Sequence, residues 1–174
     1  ESALRAGAKV NLIAGPRVTQ THPDINRIDV VSAEDMFTAA IASIPETDIF
    51  IGVAAVADYR PATSATQKMK RSGDPGARVS LELVENPDII AHVAEHPARP
   101  LVIGFAAETN DTLEHARAKR ERKKLDAIVL NDVSDPTIGF NSTENAATLI
   151  YDQGEITLPK QSKQLLADNL ITNL

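Results

Sequence analysis

The sequence of 174 residues contains no cysteine and no tryptophan, and aromatic residues make up only 3% of it. The absence of cysteine excludes a disulfide framework, thiolate metal ligands and a cysteine nucleophile. Val, Ile, Leu and Ala must therefore supply most of the core. No apolar run approaches the roughly 20 residues that a membrane-spanning helix needs, and no secretory signal is visible. We expect no membrane contact and a cytoplasmic location.

The charge balance argues against one class of partner. The formal net charge is −6, whereas general nucleic-acid binders are basic. We therefore expect no nucleic-acid partner, although a local basic cluster can still bind phosphate. The length suits one domain, and 43% hydrophobic residues suit a globular one.

Apolar segments of two periodicities alternate along the chain. Short apolar runs predict strands at residues 9–14, 28–31, 48–54, 78–84, 101–105 and 126–130. Helical spacing predicts helices at residues 1–7, 32–44, 86–96, 111–124 and 159–174, and residues 148–158 predict a hairpin. Residues 55–77 form a long irregular loop, typical of a flap. This alternation predicts an α/β fold with a mostly parallel sheet.

Ligands of parallel sheets bind outside the carboxyl ends of the strands. That rule selects residues 52–58, 85–90, 105–110 and 131–134. In the first segment, small residues permit close approach of a ligand to the backbone, and Asp58 is suited to accept from a ribose hydroxyl or an amine. Tight helix–sheet packing with Asp58 as a helix cap explains the same pattern.

The segment of residues 85–90 has the composition of a helix start. Asn86 is a good N-cap, Pro87 suits the first helical position, and Asp88 is favoured in the first turn. The free N–H groups there can bind an anion or the acceptor edge of a base. An ordinary capped helix is the alternative.

Two clusters of cations are candidates for phosphate binding. Lys68, Lys70 and Arg71 lie in the flap, and Lys119 and Lys123 project from one helix face at i,i+4 spacing. A solvated charge run explains the first cluster equally simply. Stabilisation of a helix C-terminus explains the second.

His92, Glu95 and His96 match a metalloprotease pattern, H-x-x-E-H. Pro97 ends the helix directly after His96, and no third ligand is evident. We expect an ordinary surface helix here, and the metal ligands of the protein, if any, are not identified by sequence.

The order of the motifs is more specific than any one of them. The succession AAVADYRP, KMKR, ENPDII, VIGFAAETN, RAKRERKKLD, LNDVS and GFNS resembles the phosphopantothenoylcysteine synthetases, or phosphopantothenate–cysteine ligases. The resemblance is to the CTP-using bacterial form, the C-terminal half of bifunctional coenzyme A biosynthesis proteins. It extends over nearly the whole chain.

This resemblance implies a Rossmann-like fold with helices on both faces, a homodimer and a ligation in two steps. Phosphopantothenate attacks CTP, assisted by Mg²⁺, to give an acyl-cytidylate and pyrophosphate. The amine of cysteine then displaces CMP to give phosphopantothenoylcysteine. In the family, the ligase is fused to a flavin-dependent decarboxylase domain.

The resemblance also implies roles for individual residues. Lys68 would bind phosphate and support cytidylate formation, and the backbone at Ala55 would abut the acyl intermediate, which makes these two the catalytic candidates. Asp58 would contact the ribose of CTP. The other candidates for CTP binding are Gly52, Val53, Ala54, Pro87, Asp88, Ile89, Ile90, Phe105, Lys119 and Lys123.

The sequence departs from the family pattern in two places. Residues 1–174 are interpreted as a single ligase domain that lacks the family's N-terminal strand and Gly/Ser-rich loop, so we expect that this chain alone can be inactive. Arg71 stands where the family's K-x-K-K loop ends in Lys. Two other interpretations remain: a non-catalytic nucleotide-binding module, and a Rossmann-type oxidoreductase, whose G-x-G-x-x-G fingerprint is absent from the sequence.

Overall fold

A computed structural model describes residues 1–18, 21–70, 73, 76–108, 112–132 and 142–174. No helix within these ranges is both long and apolar enough to cross a lipid bilayer. The strands are β1 (Asn11–Ala14), β2 (Asn26–Asp29), β3 (Ile49–Gly52), β4 (Tyr59–Pro61), β5 (Leu83–Glu85), β6 (Leu101–Glu108), β7 (Ala127–Asp132), β8 (Glu144–Tyr151) and β9 (Gly154–Ser162). The helices are α1 (Ser2–Arg5), α2 (Ala33–Ser43), α3 (Ile89–Glu95), α4 (Thr112–Arg122) and α5 (Lys163–Thr172).

A five-stranded sheet in the order β3-β6-β7-β8-β9 forms the centre of the molecule. Strands β3, β6 and β7 are parallel, and β8 and β9 continue the sheet as an antiparallel hairpin. The predicted α/β class, the mostly parallel sheet and the C-terminal hairpin are confirmed. The hairpin is longer than its predicted span of residues 148–158.

Both faces of this sheet are covered, which explains the nearly continuous apolar runs of its parallel strands. Alternate residues of β6 and β7 face opposite ways. Val102 and Ile128 pack in one cluster with residues of α2, α3 and α4, whereas Ile103 and Val129 pack in a second cluster with residues of α5. The helices therefore lie on both faces, as predicted.

Local sequence signals account for several element ends. Ser32 Oγ accepts from Asp35 N (3.0 Å), and Asp35 Oδ2 accepts from Ser32 N (2.9 Å), so a complete capping box starts α2. Gly7 follows α1 with a φ of +92°, which favours glycine. Ser32 as cap and Gly7 as terminator are both as predicted.

Two smaller sheets complete the fold. β1 and β2 pair in parallel as a separate two-stranded sheet, and residues of α2 pack on β1. β4 and β5 form an antiparallel pair in the register Tyr59↔Glu85 to Pro61↔Leu83. The segment between β4 and β5, residues 62–82, is hereafter called the flap.

Several sequence predictions are wrong at their boundaries, and β4 lies within the irregular loop predicted for residues 55–77. Residues 78–84 were expected as one strand, but β5 begins only at Leu83, because its partner β4 is three residues long. The C-terminal helix begins at Lys163 rather than at residue 159, since Ser162 Oγ caps it by accepting from Leu165 N (3.2 Å). Helix α3 begins at Ile89 rather than near Pro87. The predicted helix start at Asp111 lies outside the described residues.

Candidate functional site

Asn86 joins two of the strand-end segments that the sequence predicts as a binding edge, residues 52–58 and 85–90. Its backbone N donates to Asp58 O (2.8 Å), and its side-chain Nδ2 donates to Ala57 O (2.8 Å). The turn after β3 and the segment before α3 are therefore held together by two hydrogen bonds. These bonds also explain why Asn86 does not cap α3, since its side-chain amide is committed to Ala57 and Arg60.

Arg60 stabilises the same junction, and the sequence did not predict this role. Its Nη1 donates to Glu85 O (2.7 Å) and to Asn86 Oδ1 (3.2 Å), while its Nη2 pairs with Glu34 Oε1 (2.8 Å) at the start of α2. A guanidinium can make these bonds in several directions at once. The position of Arg60 two residues after Asp58 was the only signal available in the sequence.

Asp88 connects α3 to α4. It is the actual N-cap of α3, where its side chain accepts from Ala91 N (3.3 Å), and it pairs with Lys123 Nζ (2.8 Å). The side chain of Lys123 is only 20% exposed. This ion pair places the cation of Lys123, which directly follows α4, beside the segment of residues 86–90.

Lys119 lies one helical turn before Lys123 and also reaches the sheet. Its Nζ is 3.5 Å from Phe105 O on β6. Lys119 of α4 and Lys123, which directly follows α4, thus lie near the carboxyl half of the parallel strands. The ring of Phe105 packs against the cluster on the α5 face, whereas α4 covers the opposite face.

A pair of glycines allows α3 to approach the sheet closely. Gly52 of β3 and Gly104 of β6 are register partners. A Cβ on Gly52 would lie 2.8 Å from Ile90 Cδ1, and one on Gly104 would lie 2.7 Å from Leu125 Cδ1 and 3.3 Å from Ile90 Cδ1. Side chains at these positions would therefore collide with Ile90 or Leu125.

The remaining candidates are exposed, except for Pro87 and Ile89, which are half-buried. Val53, Ala54, Ala55 and Asp58 follow β3 at the surface, and Val53 is 62% exposed. Lys68 lies in the flap, exposed, and the hydrogen bonds and ion pairs among the described residues do not join it to the other candidates. Residues 109–110 and 133–134 of the selected edge lie outside the described part of the chain.

The H-x-x-E-H pattern is not a metal site. Glu95 pairs with Lys124 (2.7 Å), the ring of His92 packs edge-on against Phe37 at a centroid distance of 5.1 Å, and His96 Nδ1 accepts from Ala98 N (3.1 Å). Within the described ranges, no group of three or more His, Asp or Glu side chains could hold a metal ion. The expectation of an ordinary surface helix is confirmed for these residues.

The fold and these contacts define an α/β domain with a polar, cation-bearing site at the carboxyl edge of its parallel strands. Residues 1–174 match the family described as the DNA/pantothenate metabolism flavoprotein C-terminal domain, and the chain belongs to that family.

Known relatives of the chain are bifunctional proteins. It is 48% identical over 176 residues to the coenzyme A biosynthesis bifunctional protein CoaBC of Escherichia coli (strain K12), covering 99% of this chain and 43% of that protein. The corresponding protein of Vibrio vulnificus (strain CMCP6) is 47% identical over 175 residues, with 100% and 43% covered. The chain thus spans less than half of the length of these relatives.

A solved structure supports the same fold. The crystal structure of the C-terminal domain of a coenzyme A biosynthesis bifunctional protein CoaBC superposes with a TM-score of 0.80 at 31% identity. The match covers 99% of this chain and 76% of that one. The resemblance that the ordered motifs predicted is therefore confirmed at the level of family and fold.

Proposed function

We propose that this domain is the phosphopantothenate–cysteine ligase of a coenzyme A biosynthesis enzyme and that it uses CTP. The family and the bifunctional relatives support the pathway. The observation that carries the site assignment is the junction of three motif segments. Asn86 bonds to the turn at Asp58, and Asp88 pairs with Lys123 of the basic helix.

The proposed reaction has two displacements. A carboxylate oxygen of phosphopantothenate attacks the α-phosphorus of CTP, and pyrophosphate leaves with the electron pair of the broken P–O bond. The amine of cysteine then attacks the acyl carbon of the cytidylate, loses a proton, and CMP leaves. Each step develops negative charge on phosphate oxygens, so positioned cations and N–H donors lower its barrier.

The cations of α4 suit the triphosphate. Lys123 is held by Asp88 at 2.8 Å, and Lys119 is held at the edge of β6 by Phe105 O at 3.5 Å. Both side chains are already held in place before the nucleotide binds. Binding therefore costs less side-chain entropy. On binding, Lys123 exchanges part of its contact with Asp88 for a phosphate oxygen.

The remaining candidates surround that position. Asp58 accepts from the ribose, and residues 87–90 lie against the base. The exposed backbone of residues 52–55 contacts the acyl-cytidylate, with Ala55 beside the reacting carbonyl. Phe105 contributes to the site through its backbone carbonyl, which orients Lys119, in addition to the packing of its ring. Lys68 extends from the flap and contacts the α-phosphate of CTP, which the carboxylate attacks.

Mg²⁺ enters this proposal as an ion carried by the nucleotide. Mg²⁺ keeps several waters and is commonly bound through one or two carboxylates and substrate phosphates. Asp58 and Asp88 are the carboxylates of the junction, and Asp88 is already paired with Lys123. The described residues therefore fit an ion held mainly by the triphosphate, and no residue is assigned as its ligand.

The proposal includes a homodimer and a fused decarboxylase domain, as the resemblance implies, and a cytoplasmic location. The β4–β5 pair and the adjoining flap expose several large apolar side chains: Tyr59 (55%), Val79 (73%), Leu81 (61%) and Leu83 (54%). A second copy of the chain would remove this surface from water. Leu81→Glu is expected to weaken the dimer, measured as a concentration-dependent mass by analytical ultracentrifugation.

The test uses the complete protein that carries this chain, incubated with CTP, phosphopantothenate and cysteine. We expect release of pyrophosphate and CMP with formation of phosphopantothenoylcysteine. Lys68→Gln should lose cytidylate formation by about 10²-fold or more, as expected when a charge-stabilising donor is removed. Lys70→Gln, in the same flap, is the matched control and should retain most of the rate.

Other results would favour other functions. Binding of CTP without turnover by the complete protein would favour a nucleotide-binding module. Selective thermal stabilisation by NAD rather than CTP would favour an oxidoreductase. Equal rates for Lys68→Gln and the parent protein would refute the role of Lys68.

A further inference from the structure

The glycine pair of β3 and β6 makes room for Ile90, and Gly104 also makes room for Leu125, whose Cδ1 lies 2.7 Å from a Cβ built on Gly104. Gly52 and Gly104 are neighbours across the sheet, and Ile90 Cδ1 lies 2.8 Å from a Cβ built on the first and 3.3 Å from one built on the second. Both values are shorter than ordinary van der Waals contact. A side chain on Gly52 or on Gly104 would therefore overlap with Ile90.

Ile90 belongs to the segment that the proposal places against the base. Its neighbours in sequence are fixed by other contacts: Asn86 to Ala57 and Asp58, and Asp88 to Lys123. The contact of Ile90 with the two glycines sets the distance between this segment and the sheet. A shift of Ile90 away from the sheet would move Asp88 and Lys123 with it.

We propose that Gly52 and Gly104 form a seat for Ile90 and that this seat positions the nucleotide-binding segment over the strand ends. Gly104 is then a positioning residue: it is buried and acts on the nucleotide only through Ile90. For Gly52, the requirement for glycine comes from Ile90 rather than from contact with the ligand. This inference rests on the proposed function.

The seat can be tested by adding a methyl group that collides with Ile90. Gly52→Ala in the complete protein should raise KM for CTP roughly tenfold, because a displacement on the order of 1 Å at a positioning segment costs up to about a hundredfold. The value of kcat at saturating CTP should change less than KM. Gly104→Ala should shift KM in the same direction although it touches no ligand.

Ile90→Val deletes the Cδ1 atom and is the rescue variant. In the double variant Gly52→Ala with Ile90→Val, KM for CTP should return to within about threefold of the Ile90→Val single variant, since the new methyl then occupies the vacated space. If Gly52 served by direct contact with the nucleotide, the added methyl would obstruct CTP in both backgrounds. Failure of the rescue would therefore overturn the seat.

Gly15→Ala is the matched control, because a Cβ there would meet only Met36 Cε at 4.0 Å. It should leave KM and kcat unchanged. If the unmodified complete protein shows no CTP-dependent turnover, the proposed function fails. The melting temperatures then decide the seat by themselves: it stands if Ile90→Val restores the melting temperature lost in Gly52→Ala, and it is overturned if the two losses simply add.

Discussion

The two sides of the proposed site are built very differently. Residues 86–90 are fixed to three other elements, by hydrogen bonds at Ala57 and Asp58, by an ion pair at Lys123 and by the seating of Ile90 between two glycines. In the flap, by contrast, every described residue from 62 to 70 and from 76 to 82 is exposed. The first side is preorganised for the proposed nucleotide, whereas the flap has little burial within one copy of the chain to hold it in one place.

This difference assigns different tasks to the two sides. A preorganised segment loses little entropy when it binds, so it is suited to affinity and to recognition of the base. An exposed segment that carries Lys68 can admit three substrates and then cover them, as the lids of many enzymes do. Changes at Asn86, in the flap and at Lys123 test this contrast between the two sides.

The largest effect is expected at the preorganised side. Asn86→Ala removes the bond to Ala57 O and the acceptor of Arg60, and leaves the guanidinium with an unused donor. We expect kcat/KM for CTP to fall by about 10²-fold and stability to fall by about 1–3 kcal/mol. Steady-state kinetics and urea denaturation measure the two effects.

Asn86→Asp is the informative companion variant. It keeps an acceptor for Arg60 but loses the donor for Ala57 O, so the loss in kcat/KM should be smaller than for Asn86→Ala. Equal kinetics for the parent protein and Asn86→Ala would show that the junction does not position the nucleotide.

A smaller effect is expected at the flap. Lys68 and Lys70 are exposed sites for trypsin in an extended segment without described helix or strand. CTP together with phosphopantothenate should slow cleavage there by about tenfold, because a segment that closes over ligand is less available to the protease. The rate is followed by mass spectrometry, and ATP in place of CTP is the control. Unchanged cleavage would mean that the flap does not close.

A further effect of about tenfold is expected at the cation that directly follows α4. Lys123→Met removes the partner of Asp88 and should raise KM for CTP about tenfold, within the range for loss of a charge-assisted contact. Lys124→Met, in the turn directly after α4, removes only the exposed pair with Glu95, which contributes little. Isothermal titration with CTP should distinguish the two variants, and identical affinities would remove Lys123 from the site.

The smallest effect concerns pH. Hydrogen bonds from the backbone and side chain of Ser32 hold the pKa of Asp35 below its ordinary value of 3.8. A carboxyl whose pKa is lowered by folding stabilises the fold above its unfolded pKa and loses that contribution as the pH falls through the folded value. Asp35→Asn should therefore lower the melting temperature more at pH 7 than at pH values well below 3.8. A constant difference between the two proteins across this range would contradict the assignment.

The sequence allowed most of the architecture to be predicted. The apolar runs of β6 and β7 are long and bounded, and capping signals such as Ser32 with Asp35 depend only on nearby residues. Errors arose where distant contacts compete with local preference. Asn86 is a good cap by type, but Ala57 and Arg60 take its side chain, so Asp88 caps α3 instead. Residues 78–84 alternate like a strand, yet β4 offers only three residues with which to pair.

The residues of the candidate site also divide into those that local sequence predicts and those that depend on distant contacts. Lys119 and Lys123 were found because helical spacing alone puts them on one face. The contacts of Arg60 and the role of Gly104 were not predicted, since each depends on residues distant in the sequence that only the folded chain brings near.

By itself, the sequence determined the alternation of strands and helices, the two covered faces of the sheet and the edge at which we propose that a ligand binds. These follow from local periodicity and from the geometry common to parallel sheets. Only the tertiary structure decided which side chains connect the segments at that edge. Ion pairs and the contact of Ile90 with two glycines are set by distances in space, and no local pattern of residues encodes such distances.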